Sequence, residues 1–359
     1  MVEPPITFFN TAPQHGPRPL PLFLEMLRRE TATSPERRVA ALAGLRAYQD
    51  APRGAKRRMA RVRYRKGRAR LRDYGAKHGT GRPVIFVPSL INPPFILDLQ
   101  TDTSLLRWLA SQGFRPLLLD WGSTSPDARA MDISAHVEQI LLPLIAKLPE
   151  PPVLAGYCLG GTMAMAAASA VPVAGLAMIA APWHFTGFGA AARADMAALW
   201  RAAQPLCETM GLVPMEVLQT GFWQLDPART IAKYEAFAAM EPGSAAARSF
   251  VALEDWANEG QPLPYASGKQ LFEEFIGGDL PGTGQWRIGR AVADPSRLTC
   301  PAINFVSLND RIVPAASAAD LGERRNLGAG HIGMVVGSGR HVQLWEPMLR
   351  WLRDLPHSR

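Results

Sequence analysis

From Pro151 to Ala192 the chain carries no Asp, Glu, Lys or Arg, although those residues make up 19% of the sequence. Part of this stretch, "LGGTMAMAAASAVPVAGLAMIAA", nearly matches a bilayer in length. Pro172 and Gly175 interrupt it, however, and Ala, Gly and Met outnumber Leu, Ile and Phe. A strand–helix–strand unit inside a parallel sheet has the same composition, because helices cover both faces of such a sheet. The segment is therefore read as buried strand, small-residue helix and buried strand, with no membrane span.

The same grammar recurs on either side. "RPVIFVPSL" (82–90), "FRPLLLDWG" (114–122), "PPVLAGYC" (151–158), "VAGLAMIAAPW" (173–183) and the start of "CPAINFVSLNDRIVP" (300–314) read as buried strands. Helices are expected over 96–112, 131–148, 160–171, 315–324 and 341–354. Alternating strands and helices predict an α/β fold with a mostly parallel, doubly wound sheet. The region 185–293 breaks the alternation and is largely helical. It is expected to be a cap or lid inserted over the carboxyl ends of the strands, where such folds bind ligands. The expected organisation is a helical extension (1–58), a core (59–184 and 294–359) and the insertion.

The net charge of +8 is uneven. Residues 1–80 hold 18 Lys/Arg against 6 Asp/Glu, a net of +12, so the rest of the chain sums to −4. Most of the excess lies in 53–72, where "RVRYRKGRARLRDY" reads as a β-hairpin turning at Lys66-Gly67. Its arginines are expected to form a solvated face or edge strand, with an anionic surface, substrate or partner as the other reading. Nucleic acid is the weaker choice of partner. Three cysteines (Cys158, Cys207, Cys300) are too few and too scattered for a disulfide framework, and they lack zinc-site spacing. No metal or cofactor is expected. The N-terminal sequence has no basic leader followed by a long apolar core, so a reducing cytoplasm is the expected location.

Gly156-x-Cys158-x-Gly160, between a buried strand and a small-residue helix, has the form of a nucleophile elbow. Glycines flank the cysteine because the sharp turn brings backbones too close for a Cβ. The helix aims its first N–H groups and positive dipole end at the sulfur. The Leu159 amide is then placed to bind an oxyanion, with a second donor expected from the loop 88–92, at Leu90 or Ile91. Partners for the cysteine lie after the last strand: Asp310, and His331 21 residues later. His331 is expected to act as base and Asp310 to orient it. Of the other histidines, His15, His78 and His357 lie in polar, terminal or loop contexts, and His136 and His341 in or at predicted helices. His184 ends a strand near the site.

"GYCLGGT", "LNDRIVP" and "GHIGMVVG" resemble the lipase-like box, acid motif and histidine motif of polyhydroxyalkanoate synthases. "VPSLINPPFILDL" (87–99) and "LLLDWGSTSPD" (117–127) are similar to that family's core strands, and the length is similar to its class III catalytic subunits. The resemblance covers about 60–185 and 295–355. It implies an α/β-hydrolase fold with a cap and a catalytic Cys158, Asp310 and His331. It also implies an enzyme that takes 3-hydroxyacyl groups from coenzyme A thioesters. A homodimer, an accessory subunit and a polyester granule surface are partners it leaves open. The chain departs from the family pattern at Arg311, Ala315 and His184. Tyr157, Trp183, His184 and Trp256 are expected to line the substrate pocket. For Trp183, Phe185, Trp223 and Trp256 ordinary core packing is the competing reading.

A thiol attacking a thioester yields another thioester, so the acyl group stays activated for transfer; a serine would yield an oxyester, better suited to hydrolysis. An acyltransferase is therefore expected. A hydrolase of the same fold, acting on thioesters or hydroxyalkanoate oligomers, and a non-catalytic binding protein are the alternatives.

Overall fold

The computed structural model describes residues 15–53, 58–75 and 81–356. Its main sheet has eight strands: β1 (Arg61–Lys66), β2 (Ala69–Asp73), β3 (Pro83–Val87), β4 (Arg115–Asp120), β5 (Val153–Tyr157), β6 (Gly175–Ile179), β7 (Ala302–Ser307) and β8 (Glu323–Leu327). They lie in the order β1-β2-β4-β3-β5-β6-β7-β8. β2 runs antiparallel to both neighbours, and all other pairs are parallel. Every residue of β3, β5 and β6 is buried, as expected of a sheet with both faces covered. The helix Leu159–Ala170 packs on β5 and β6, and nine of its twelve residues are buried. Its Ala, Gly and Met side chains let it lie close to the strands. The fold is an α/β-hydrolase fold.

The Arg-rich segment forms the expected hairpin. Gly67 supplies the positive φ of 55° at the turn, and Arg61, Arg63 and Arg65 are exposed along one side of β1. Two other expectations are corrected. The stretch 315–324 is not a helix: after a single 3-10 turn at Ala315–Ser317 the chain extends and enters β8. Sheet pairing with β7 decides this, since Ile303 to Ser307 pair in register with Glu323 to Leu327. The helix placed at 96–112 begins only at Leu105 and ends at Ser111. Ser104 caps it, accepting the Arg107 amide at 3.1 Å, and Asp98 is held by the Arg107 guanidinium at 2.8 Å. The 131–148 helix is present, but it is broken by a π-helical turn at Val137–Leu141.

Contacts divide the chain into two units. The smaller takes the described residues up to 53 together with Asp226–Asn258. In it, Phe23 and Phe250 both meet the Tyr234 ring edge-on, and Asp255 accepts from Tyr48 and Arg53. The larger takes the sheet and the rest of the 185–293 insertion. In that remainder Trp200 stacks on Phe272, with centroids 5.1 Å apart. The insertion expected as one cap is thus apportioned between the two units. No helix among the described residues is long and apolar enough to cross a membrane.

Candidate active site

β5 is an unbroken apolar strand, and at its end the chain must reverse into a helix within one residue. Cys158 makes that reversal, with φ 56° and ψ −134°. For a residue with a Cβ this costs on the order of 1–3 kcal/mol and persists only where the surroundings dictate it. Here the Cys158 amide donates to Ile179 O on β6 at 3.0 Å, and its carbonyl accepts from the Gly161 amide at 2.8 Å. The flanking glycines are required. A Cβ on Gly156 would collide with the Gly160–Gly161 backbone, and one on Gly160 with the carbonyl of Val87. The second contact also shows that the loop after β3 lies directly against the elbow. Cys158 itself is only half-buried, whereas Cys207 is buried and Cys300 is at the sheet's opposite end.

The loops after β7 and β8 bring up the acid and the histidine. Ser307 Oγ ties them together by donating to Ala329 O at 2.5 Å. His331 Nδ1 and Asp310 Oδ2 are 2.6 Å apart. The other Asp310 oxygen accepts the Ile312 and Val313 amides at 2.8 and 2.9 Å, which fixes the carboxylate plane. Burial lowers the basicity of His331, but the Asp310 charge and the Cys158 sulfur outweigh it and raise the pKa to about 10. A strongly basic imidazole between a thiol and a carboxylate is suited to taking a proton from sulfur. The three residues far apart in sequence thus meet in one place.

The remaining expected residues have mixed positions. Leu159 is the first residue of its helix, where an amide has no carbonyl one turn earlier to bond. The Ile91 amide is already used, donating to Ser89 Oγ at 3.1 Å. Tyr157 is buried beside His331, with ring centroids 5.0 Å apart, and its hydroxyl donates to the His331 carbonyl at 3.2 Å. Burial pushes that phenol well above its ordinary value, so it stays a donor that braces the histidine loop. Trp183 is 1% exposed, with its ring 6.1 Å from Trp286, and sits in the core of the larger unit. The His184 amide donates to Ser317 O at 3.0 Å, and its side chain is half-buried. Trp256 is buried in the smaller unit. His78 and His357 lie outside the described residues. Among the described residues no group of three or more His, Cys, Asp or Glu could hold a metal ion.

Sequence reasoning did not single out Tyr157 and Ser307 as braces. Tyr157 stands next to Cys158, but only the fold shows that its hydroxyl reaches a carbonyl 174 residues away.

A family model described as "Alpha/beta hydrolase family" matches residues 78–342. Among curated proteins, the chain is similar to the poly(3-hydroxyalkanoate) polymerase subunit PhaC of Haloferax mediterranei, with 27% identity over 82% of this chain and 63% of the relative. The PhaC subunit of Haloarcula marismortui is 25% identical over 76% of this chain and 61% of the relative. The chain thus spans about three fifths of the length of these two relatives. Among solved structures, the monoacylglycerol lipase of Paleococcus ferrophilus has a TM-score of 0.49 and 15% identity, covering 77% of this chain and 97% of the lipase.

Proposed function

We propose that this chain, which belongs to the alpha/beta hydrolase family and within it to the polyhydroxyalkanoate synthases, transfers 3-hydroxyacyl groups through a thioester on Cys158. One observation carries the reading: a half-buried cysteine held at positive φ on an elbow, beside a histidine hydrogen-bonded to a buried carboxylate. His331, raised to a pKa of about 10, already holds the Cys158 proton, and the thiolate attacks the carbonyl of an acyl-coenzyme A thioester. The amides of Leu159 and Leu90 bind the oxyanion, the bond from carbonyl carbon to coenzyme sulfur breaks, and His331 protonates the departing thiol. In the second half, the hydroxyl of another hydroxyacyl unit attacks the acyl-cysteine and gives its proton to His331. The bond to Cys158 Sγ then breaks, and the proton stays on His331. Asp310 holds the ring in the orientation for both steps and stabilises its cationic form. The reading includes a cytoplasmic location and leaves a homodimer, an accessory subunit and a polyester granule as its partners.

Incubation with 3-hydroxybutyryl-coenzyme A tests it, by following thiol release together with the mass of the product. Oligomers of hydroxyacid, and an acyl adduct on the Cys158 peptide, support transfer. Free monomeric acid at one per thiol released makes the protein a hydrolase instead. Release of no thiol from several acyl-coenzyme A substrates leaves a binding role.

A further inference from the structure

The hairpin β1–β2 contributes more than a solvated face. Its inner side forms one wall of a cleft of about 670 Å³, lined by Lys66, Arg68, Arg70, Asn92 and Trp121, and by Leu90 of the loop after β3. The cleft follows the carboxyl edge of the sheet across β1, β2, β4 and β3, the edge at which folds of this kind bind ligands. Two features set its charge. Asp120 is already held by Arg72, at 2.8 Å, and lies 3.6 Å from Arg70. Among the described residues the buried Arg70 Nε has no hydrogen-bond partner, although an arginine donor removed from water normally has an acceptor. Glu138, the other carboxylate of the lining, accepts the Gly289 amide. The three basic side chains therefore exceed the carboxylate charge that is left to face them.

Register fixes the distance to the elbow. Arg70 pairs with Asp120, Phe86 pairs with both Leu118 and Ala155, and Val87 pairs with Gly156. Arg70 is thus level with the end of β5 and three strands away, roughly 14 Å at about 4.8 Å per strand. A ligand with its reacting carbonyl at Cys158 and anionic groups at Arg70 has to carry them on a long, extended arm. Resting on the acyl-transfer reading, we propose that Lys66, Arg68 and Arg70 bind the phosphates of the acyl-coenzyme A substrate, with the arm running past Leu90 to Cys158. Charge-assisted hydrogen bonds from arginine to phosphate supply the affinity.

Titration of coenzyme A into the full chain carrying Cys158→Ala tests this without turnover. The pair Lys66→Gln and Arg68→Gln, both at exposed positions, should weaken binding about tenfold or more, the size expected for losing charged hydrogen bonds. Arg70→Gln should weaken it similarly. Arg63→Gln with Arg65→Gln, which remove the same charge from outside the cleft, should change it less than about twofold. In the active chain, the cleft pair should lower the ratio of kcat/KM for the coenzyme A thioester over that for the phosphate-free N-acetylcysteamine thioester. Equal losses from both pairs, no loss from the cleft pair, or no coenzyme A binding at all would overturn the assignment. So would tighter binding of a duplex oligonucleotide than of coenzyme A at the same salt. If neither thioester is turned over but coenzyme A binding still follows the cleft, the acyl-transfer reading fails and the cleft stands.

Discussion

β5 and β8 are both five-residue parallel strands of one sheet, yet they are built in opposite ways. β5, "VLAGY", is wholly buried between two neighbours and ends in the strained Cys158. β8, "ERRNL", pairs on one side only among the described residues, and its Arg324, Arg325 and Asn326 are exposed. A central strand is specified by its own apolar side chains. An edge strand of this kind is specified by the neighbour whose backbone groups it satisfies. In the proposed mechanism the roles divide the same way: the central strand delivers the sulfur of Cys158, and the edge strand positions a loop that carries His331.

The contrast can be broken at its centre first. His331→Ala is expected to cost roughly 10²–10⁴-fold in turnover, as for removal of a general base. Asp310→Asn should cost less in acylation, because the acid orients rather than reacts. Single-turnover acylation of Cys158, followed by mass spectrometry, separates the two. Near-normal rates in His331→Ala would remove the base from the mechanism.

Gly160→Ala is the next largest. Its Cβ would fall on the Val87 carbonyl, so the elbow or the β3 loop must move, at about 3 kcal/mol by analogy with overpacked cores. Chemical denaturation reads this directly, and a loss below about 1 kcal/mol would show that the elbow is looser than its contacts imply.

A third expectation concerns pH. His331 has its pKa raised in the folded state, from 6.5 to about 10. Its protonated form therefore adds stability that is fully present below pH 6.5 and is lost as pH rises through about 10. Thermal melts should show that alkaline loss in the wild type and a flatter profile in His331→Ala. Parallel profiles would mean the ring is not charged in the fold.

At the edge, Arg324→Gln should change stability by no more than about 0.5 kcal/mol, since its guanidinium is exposed and bonds Asn326 two residues on. A larger loss would mean that β8 depends on its side chains after all.

The centre of the sheet was legible because buried strands must be apolar on both faces, and the elbow because only glycines tolerate its close approaches. Cys158 and Asp310 follow strands that were readable in the same way, β5 and β7, whereas the strand ahead of His331 was not. That strand, β8, has five mostly polar residues that carry no period, and their extended shape comes from β7. The start of the helix at Leu105 was missed as well, since Ser104 and the Asp98–Arg107 pair act as its boundary only once the chain has folded back.

Residue types alone determined that the centre of this protein is a buried strand–elbow–helix with a cysteine at its tip. Only the tertiary structure decided what surrounds that sulfur. Hydrogen bonds across 21 and 174 residues, from the His331 ring to Asp310 and from Tyr157 to the His331 carbonyl, have no local signature. Nor does the level of Arg70 with the end of β5, because strand register is a property of the assembled sheet and not of any one segment.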